Sequence, residues 1–152
     1  MKAVVQRVFG AAVTADGHDS GKIEKGLLVL LGVVKGDTEA EAELLAQKIA
    51  SLRIFCDDDG RMNRSVTDIS GSVLTVSNFT LAADIRKGTR PSFDKAMEPE
   101  EANRLYEFFV DCLKQRGIAT STGEFGAKMV IDMQCDGPVT IVMDTDIWRK
   151  NG

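Results

Sequence analysis

Few residues of this chain could carry chemistry, and two short segments hold those that could act together. Ser77-Asn78-Phe79-Thr80-Leu81 sets two hydroxyls and a side-chain amide around an apolar ring. It closes an alternating apolar run, so its backbone N–H groups can come free of a sheet ladder, and free amides at a strand end can hold an oxyanion. Taken alone, an edge strand with Phe79 and Leu81 facing the core and Thr80 facing water accounts for the segment more simply. The second segment is Cys135-Asp136-Gly137-Pro138-Val139-Thr140, between strand-like runs at 129–133 and 139–143. Its proline cannot donate to a ladder and must sit at a turn, edge or bulge. The glycine leaves the neighbouring carbonyls unshielded, and X-Pro is the bond type with an appreciable cis population. Alone, this segment reads as an ordinary hairpin turn.

The common catalytic engines are missing. His18 is the only histidine and lies in a polar turn, so nothing points to a Ser-His-Asp or Cys-His arrangement. No cluster of His, Cys and carboxylate has metal-ligand spacing, and no metal or cofactor is expected. Asp57-Asp58-Asp59-Gly60 has the start of a calcium loop, but Arg61, Asn63 and Arg64 follow and no spaced glutamate closes it, so it reads as a solvated turn. No phosphate-binding or dinucleotide glycine pattern is present. An enzyme built from this chain must work by positioning and backbone hydrogen bonds, on a substrate that is already reactive.

The elements that would position such a site form one expected domain over 1–152. With 152 residues, 43% hydrophobic, the chain is long enough to bury a core. A net charge of −4 argues against a nonspecific nucleic-acid coat, DNA included, while leaving room for a local basic patch. Cys56, Cys112 and Cys135 are odd in number and far apart, which suits a reducing cytosol. No signal peptide is apparent, and the longest apolar run, 26–34, is short of the ~20 residues that cross a bilayer. A cytoplasmic protein without membrane contact is expected.

Residues 2–14 and 22–34 read as strands around a polar turn at 16–21, and a helix opens at Asp37 or Thr38 with Leu44, Leu45, Ile49 and Leu52 as its apolar stripe. Short strands follow at 52–55 and 71–77, then a basic loop at 86–93. A second helix starts at Pro99 and stops near Gly117, with Ala102, Leu105, Phe108, Phe109, Cys112 and Leu113 inward. Residues 118–147 read as three strands. The fold class is α/β: a twisted, mostly antiparallel, barrel-like β-layer with two long helices packed on it.

In register along the chain stand "AVVQRV" (3–8), "EKGLLVLLGV" (24–33), "LRIF" with "DDGRMN" (52–63), "SNFTL" (77–81), "RKGTRPSF" (86–93), "GEFGAKM" (123–129) and "DGPVT" (136–140). Together they closely resemble the D-aminoacyl-tRNA deacylase family, over nearly the whole chain. The resemblance implies a homodimer that hydrolyses the ester between a D-amino acid, or mischarged glycine, and the 3′-terminal adenosine of tRNA. Gly137 and Pro138 would be a Gly-cisPro chiral selector inserted into the partner subunit's pocket, its carbonyls addressing the α-amino group and its bulk rejecting an L side chain. Ser77, Asn78, Phe79 and Thr80 fall on the family's pocket motif.

Thr80 is expected as a wall of that pocket, because a threonine without a base is a poor nucleophile. The Phe79 and Thr80 amides would stabilise the oxyanion, an effect of about 3–4 kcal/mol per donor, with the substrate's ribose 2′-hydroxyl assisting water. The resemblance further implies that Arg7 holds the Gly-Pro loop and that Phe125, Gly126, Ala127 and Met129 line the pocket near adenine. Arg86, Lys87 and Arg90 would meet acceptor-stem phosphates, or form a solvated basic loop. Two positions depart from the family pattern: Asn78 replaces the usual glutamine, and Cys135 the usual asparagine. The tail, 144–152 with Trp148, runs past the usual end and could serve dimer contacts. Two other readings stay open: a non-catalytic module binding adenosine or an RNA 3′ end, and a purely structural dimer with a plain hairpin at Gly137-Pro138.

Overall fold

Alternating burial drives the longest pairing in the molecule. In the computed structural model, which describes residues 1–149, Lys2–Ala15 (β1) buries Ala3, Val5, Val8, Ala11, Val13 and Ala15. Such a strand keeps one face in the core and offers both edges for pairing. One edge takes Gly26–Gly32 (β3) along its first half and His18–Ile23 (β2) along its second, both antiparallel. The other edge takes Met129–Asp144 (β8) antiparallel on both sides of an irregularity. Ser72–Ser77 (β6) adds parallel to β3, and Ala119–Thr122 (β7) parallel to β6.

The resulting order, β2-β1-β3-β6-β7, curls until its ends meet. The Ser20 hydroxyl donates to Thr122 O at 3.1 Å and the Ser121 hydroxyl to Lys22 O at 3.2 Å. Val8, Val13, Leu28, Leu74 and Val76 fill the inside of this nearly closed barrel. The two helices, Glu39–Ser51 (α1) and Pro99–Gln115 (α2), cover its outer face through Leu45, Ile49, Leu105, Phe109 and Leu113. Thr38 caps α1 in a capping box with Glu41, and Pro99 opens α2 where a missing N–H costs nothing. Two further short strands, Phe55–Cys56 (β4) and Met62–Arg64 (β5), form a separate ribbon around the Asp57 turn. No helix among the described residues is long and apolar enough to cross a membrane.

The expected α/β class, barrel-like sheet and helix pair are all observed, with local corrections. The turn between the first strands is only Asp16-Gly17, both at positive φ, so the polar residues His18 to Gly21 belong to β2. The strand expected at 52–55 is reduced to Phe55–Cys56. Residues 118–147 hold two strands, not three, because β1 pairs with β8 on both sides of Gly137-Pro138. The Gly-Pro step is therefore no hairpin turn. Gln6 faces Thr140 and Val8 faces Cys135, so Arg7 alone opposes the four residues 136–139 in a wide bulge. Two of the pairings, β3 with β6 and β6 with β7, are parallel within the otherwise antiparallel sheet.

The tail packs on its own chain. Thr145–Trp148 makes a single 3-10 turn, Trp148 lies against the helix-side core, and Lys48 Nζ sits 5.3 Å from its ring. Residues 150–152, included in the tail expectation, lie outside the described residues.

Candidate functional site

The site loop begins where β6 runs out of partners. Asn78 N–H still donates to Leu31 O at 2.8 Å, and then the chain leaves the ladder in a 3-10 turn, Phe79–Ala82. Asparagine suits this exit because its short side chain reaches its own backbone two residues on. Its Oδ1 accepts the Thr80 N–H at 3.2 Å and also the Thr80 hydroxyl. The Phe79 N–H has no acceptor among the described residues. Gly32 makes the turn possible from below, since a Cβ there would stand 2.8 Å from Leu81 Cβ and 3.0 Å from Asn78 O.

The edge-strand reading holds only in part: Thr80 is exposed, as that reading requires, but from Phe79 the segment is a 3-10 turn and no strand. Phe79 does not face the core: it is 60% exposed and meets Phe93 edge to face, with ring centroids 5.1 Å apart. The expected pair of oxyanion donors also narrows, because Asn78 already occupies the Thr80 amide and leaves Phe79 N–H as the free one.

Beside this turn lies a cavity of about 630 Å3, a size suited to a small-molecule moiety. Ser77, Asn78 and Phe79 form one wall, and Phe125, Gly126, Ala127 and Met129 form another, so two segments about fifty residues apart in sequence share one space. Thr80 is not among the lining residues. Its hydroxyl is held by the Asn78 amide oxygen, an acceptor that is no base.

Sequence reasoning missed Phe93 and Tyr106, which also line the cavity. The Tyr106 hydroxyl donates to Thr75 O at 2.8 Å while its ring lies 6.1 Å from that of Phe125. Burial, with Glu107 adding to it, pushes this phenol well above its usual range and keeps it neutral. The available signal was its place one helical turn after Ala102, on the buried face of α2. Among charged groups, Lys35, Asp94 and Glu98 stand at the lining. No group of three or more His, Cys, Asp or Glu that could hold a metal occurs among the described residues.

Gly137 and Pro138 are exposed on β8 and do not line their own chain's cavity. The peptide between them is cis, and Gly137 has φ 137°, where a Cβ would meet Val139 N at 2.6 Å. Arg7, 8% exposed, reaches this bulge from β1. Its Nη1 donates to Ile54 O at 2.6 Å, its Nε donates to Asp136 O at 3.3 Å, and the Asp136 carboxylate lies 3.2 Å from Nε.

The basic loop is not uniformly free. Asp84 accepts from Arg86 through both carboxylate oxygens and also pairs with Lys95 at 3.5 Å. The hydrogen bonds from Arg86 hold the Asp84 carboxyl well below the ordinary range. Lys87 and Arg90 are exposed and make no ion pair among the described residues.

The family profile described as D-Tyr-tRNA(Tyr) deacylase matches residues 4–144. The chain belongs to the D-aminoacyl-tRNA deacylase family. A D-aminoacyl-tRNA deacylase of Roseiflexus castenholzii is 57% identical over 150 residues, covering 99% of this chain and 96% of its own. One from Koribacter versatilis is 56% identical over 145 residues, with 95% and 97% covered. A solved structure described as c-Myc DNA Unwinding Element Binding Protein superposes with TM-score 0.89 at 42% identity, covering 95% of this chain and 98% of that one. Another, described as a probable eukaryotic D-amino acid tRNA deacylase, gives TM-score 0.81 at 14% identity over 93% and 97%, a likeness of fold alone. The family's match ends at Asp144, where the 3-10 turn bearing Trp148 begins.

Proposed function

We propose that this protein hydrolyses the ester of D-aminoacyl-tRNA, and of mischarged glycyl-tRNA, releasing the free amino acid and tRNA. The reading rests on one observation above all: an unpaired Phe79 N–H stands beside a cavity walled by Ser77, Asn78, Phe125, Gly126, Ala127 and Met129. An aminoacyl ester is an activated acyl group, so water attacks it without a dedicated nucleophile. As the carbonyl becomes tetrahedral its oxygen gains charge, which a fixed backbone donor stabilises at no reorganisation cost. The substrate's ribose 2′-hydroxyl assists water, and Thr80 serves as packing and hydrogen-bonding support. No metal takes part in this scheme.

Chirality is read by main chain in this scheme. The Gly137 and Pro138 carbonyls, turned into the pocket of a second copy, receive the substrate's α-ammonium and leave no room for an L side chain. A backbone selector suits the task because handedness concerns the groups on Cα, whichever side chain is attached. Arg7 keeps the bulge in place from below. The homodimer uses the free edge of β8, where Val130, Met133 and Val142 are exposed. Lys87 and Arg90 meet tRNA phosphates, with Arg86 a weaker candidate because Asp84 holds it. The cytoplasm, where aminoacyl-tRNA is made and used, is the matching compartment.

The test is deacylation of D-Tyr-tRNA and L-Tyr-tRNA with chelator present. The D ester should be cleaved and the L ester spared; equal rates on both would sink the selector. A non-catalytic module for adenosine or an RNA 3′ end draws support from the Asn78 cap, which leaves one oxyanion donor in place of two. Adenosine binding with no D-ester hydrolysis would establish that second reading.

A further inference from the structure

The aromatic rings that line the cavity fall into two pairs. Tyr106, buried, and Phe125, half-buried, face each other inside it at 6.1 Å. Phe79 and Phe93 stand at its mouth, with Phe79 60% and Phe93 37% exposed. Their ring centroids are 5.1 Å apart at an interplanar angle of 74°, an edge-to-face contact that takes up the face of one ring only. Ring faces therefore stay open to solvent where a chain attached to a molecule in the cavity can leave it.

Backbone hydrogen bonds fix both rings in place. Phe79 opens the 3-10 turn that Asn78 caps. Phe93 follows a closed loop, in which Asp84 N–H donates to Ser92 O at 2.8 Å and Ser92 N–H donates to Asp84 O at 2.9 Å. Beyond it Ala96 N–H donates to Phe93 O at 3.0 Å. Lys87 and Arg90 stand on that same loop, exposed and without an ion pair among the described residues.

We propose that Phe79 and Phe93 form a stacking platform for a second nucleobase, the cytosine on the 5′ side of the terminal adenosine of tRNA. The platform rests on the proposed action upon aminoacyl-tRNA and adds a subsite for the nucleotide next to the one in the cavity. Single-stranded RNA ends are bound by splaying bases onto aromatic side chains, and every base has a π-face to offer. Asp94 and Glu98 also line the cavity and repel phosphate, so the neutral base lies over the rings. The phosphates run towards Lys87 and Arg90, the cations of the loop that carries Phe93. The rival occupant of the rings is a second copy of this chain.

Binding of unreactive RNA tests the platform independently of ester hydrolysis. The probes are adenosine and the trinucleotide CpCpA, titrated by calorimetry against the parent, Phe93→Leu and Phe93→Trp. Stacking of a base on an aromatic ring contributes on the order of tenfold in affinity, so the parent should prefer CpCpA to adenosine by about tenfold or more. Phe93→Leu keeps an apolar side chain without a π-face and should cut that preference to about threefold or less, whereas Phe93→Trp should keep or enlarge it. Added salt should weaken CpCpA binding in parent and variants alike, which separates the phosphate contribution from stacking. Cytosine H5 and H6 resonances should move upfield on the parent and not on Phe93→Leu. Equal binding of the two probes by the parent, binding of neither, or an unchanged preference in Phe93→Leu would overturn the platform. A Phe93→Leu protein that stops self-associating while keeping the preference would overturn it too, giving the rings to a subunit contact. Absence of D-Tyr-tRNA hydrolysis with the stacking preference intact would remove the proposed activity and leave the subsite standing.

Discussion

Replacing Arg7 by methionine isolates the link between the fold and chiral discrimination. Methionine keeps an unbranched stem and removes the guanidinium. The change leaves Ile54 O without its 2.6 Å donor, and deprives Asp136 of contacts at 3.2 and 3.3 Å to its carboxylate and carbonyl. A hydrogen bond involving a charged group contributes about 1.5–3 kcal/mol. The two contacts at 3.3 Å are long, and the Asp136 side chain, 22% exposed, can regain water. Counting the Ile54 bond in full and the Asp136 side at roughly half gives about 3 kcal/mol. For a domain of this size that is a fall in Tm of roughly 6–12 °C. Arg7→Lys should fall between, since one ammonium cannot span Ile54 O and Asp136 together.

The informative readout is the ratio of D-Tyr-tRNA to L-Tyr-tRNA hydrolysis, measured below the new Tm. With Arg7 gone, the four-residue bulge opposite it keeps only its flanking ladder bonds, at Gln6 with Thr140 and Val8 with Cys135. A displacement near 1 Å at a positioning group costs about a hundredfold where geometry decides the rate. The ratio should therefore drop by an order of magnitude or more. A destabilised protein with the ratio of the parent would refute the assignment of the bulge as selector, whatever its effect on stability.

Other outcomes follow from the same geometry. Thr80→Ala should retain D-ester activity within about an order of magnitude, whereas loss of a nucleophile would abolish turnover; single-turnover deacylation distinguishes them. Asn78→Asp keeps the acceptor that caps Phe79–Ala82 but sets a negative charge beside the developing oxyanion, so kcat should fall roughly ten- to hundredfold at a nearly unchanged urea midpoint. Burial, with Glu43 adding to it, raises the Cys112 thiol, so its thiolate fraction is small at pH 8 and grows as pH rises. A thiol-counting reagent should find exposed Cys56 fast and Cys112 slow, with the Cys112 rate climbing between pH 8 and 10. If the proposed homodimer carries the selector, dilution to a monomer should erase D/L discrimination, and discrimination that survives in a sedimenting monomer would count against cross-subunit insertion.

The parts of the fold legible in the sequence are those fixed locally. Thr38 with Glu41, Pro99 and the two apolar stripes declare the helices because caps and periodicity act within a few residues. The misread parts depend on distant partners. His18, Asp19 and Ser20 are exposed and polar, and only their pairing with β1 makes them a strand. Gly137-Pro138 punctuates the sequence like a turn, yet β1 pairs on both sides of it and makes one strand of the whole. At the site, 77–79 and 125–129 carried recognisable motifs, and Asn78 signalled a change without revealing its capping role. Phe93 was hidden because its loop is folded back by bridges of Asp84 to Ser92 and Val34 to Ala96, which no local pattern encodes.

The cavity and the Gly-Pro bulge also explain each other's incompleteness. The cavity has a free amide and largely apolar walls, and Gly137 and Pro138 of its own chain are not among its lining residues. The bulge carries the exposed Gly137 and Pro138, is held by the buried Arg7 through Asp136, and stands apart from its own chain's cavity. β8 pairs with β1 alone, and its residues Val130, Met133 and Val142 stand exposed on a strand sixteen residues long. Long unpaired edges with apolar side chains invite another chain and are rarely left bare. A two-fold pair along that edge would cover it and bring each bulge to the other copy. Discrimination would then be a property of the assembly, with hydrolysis belonging to each cavity.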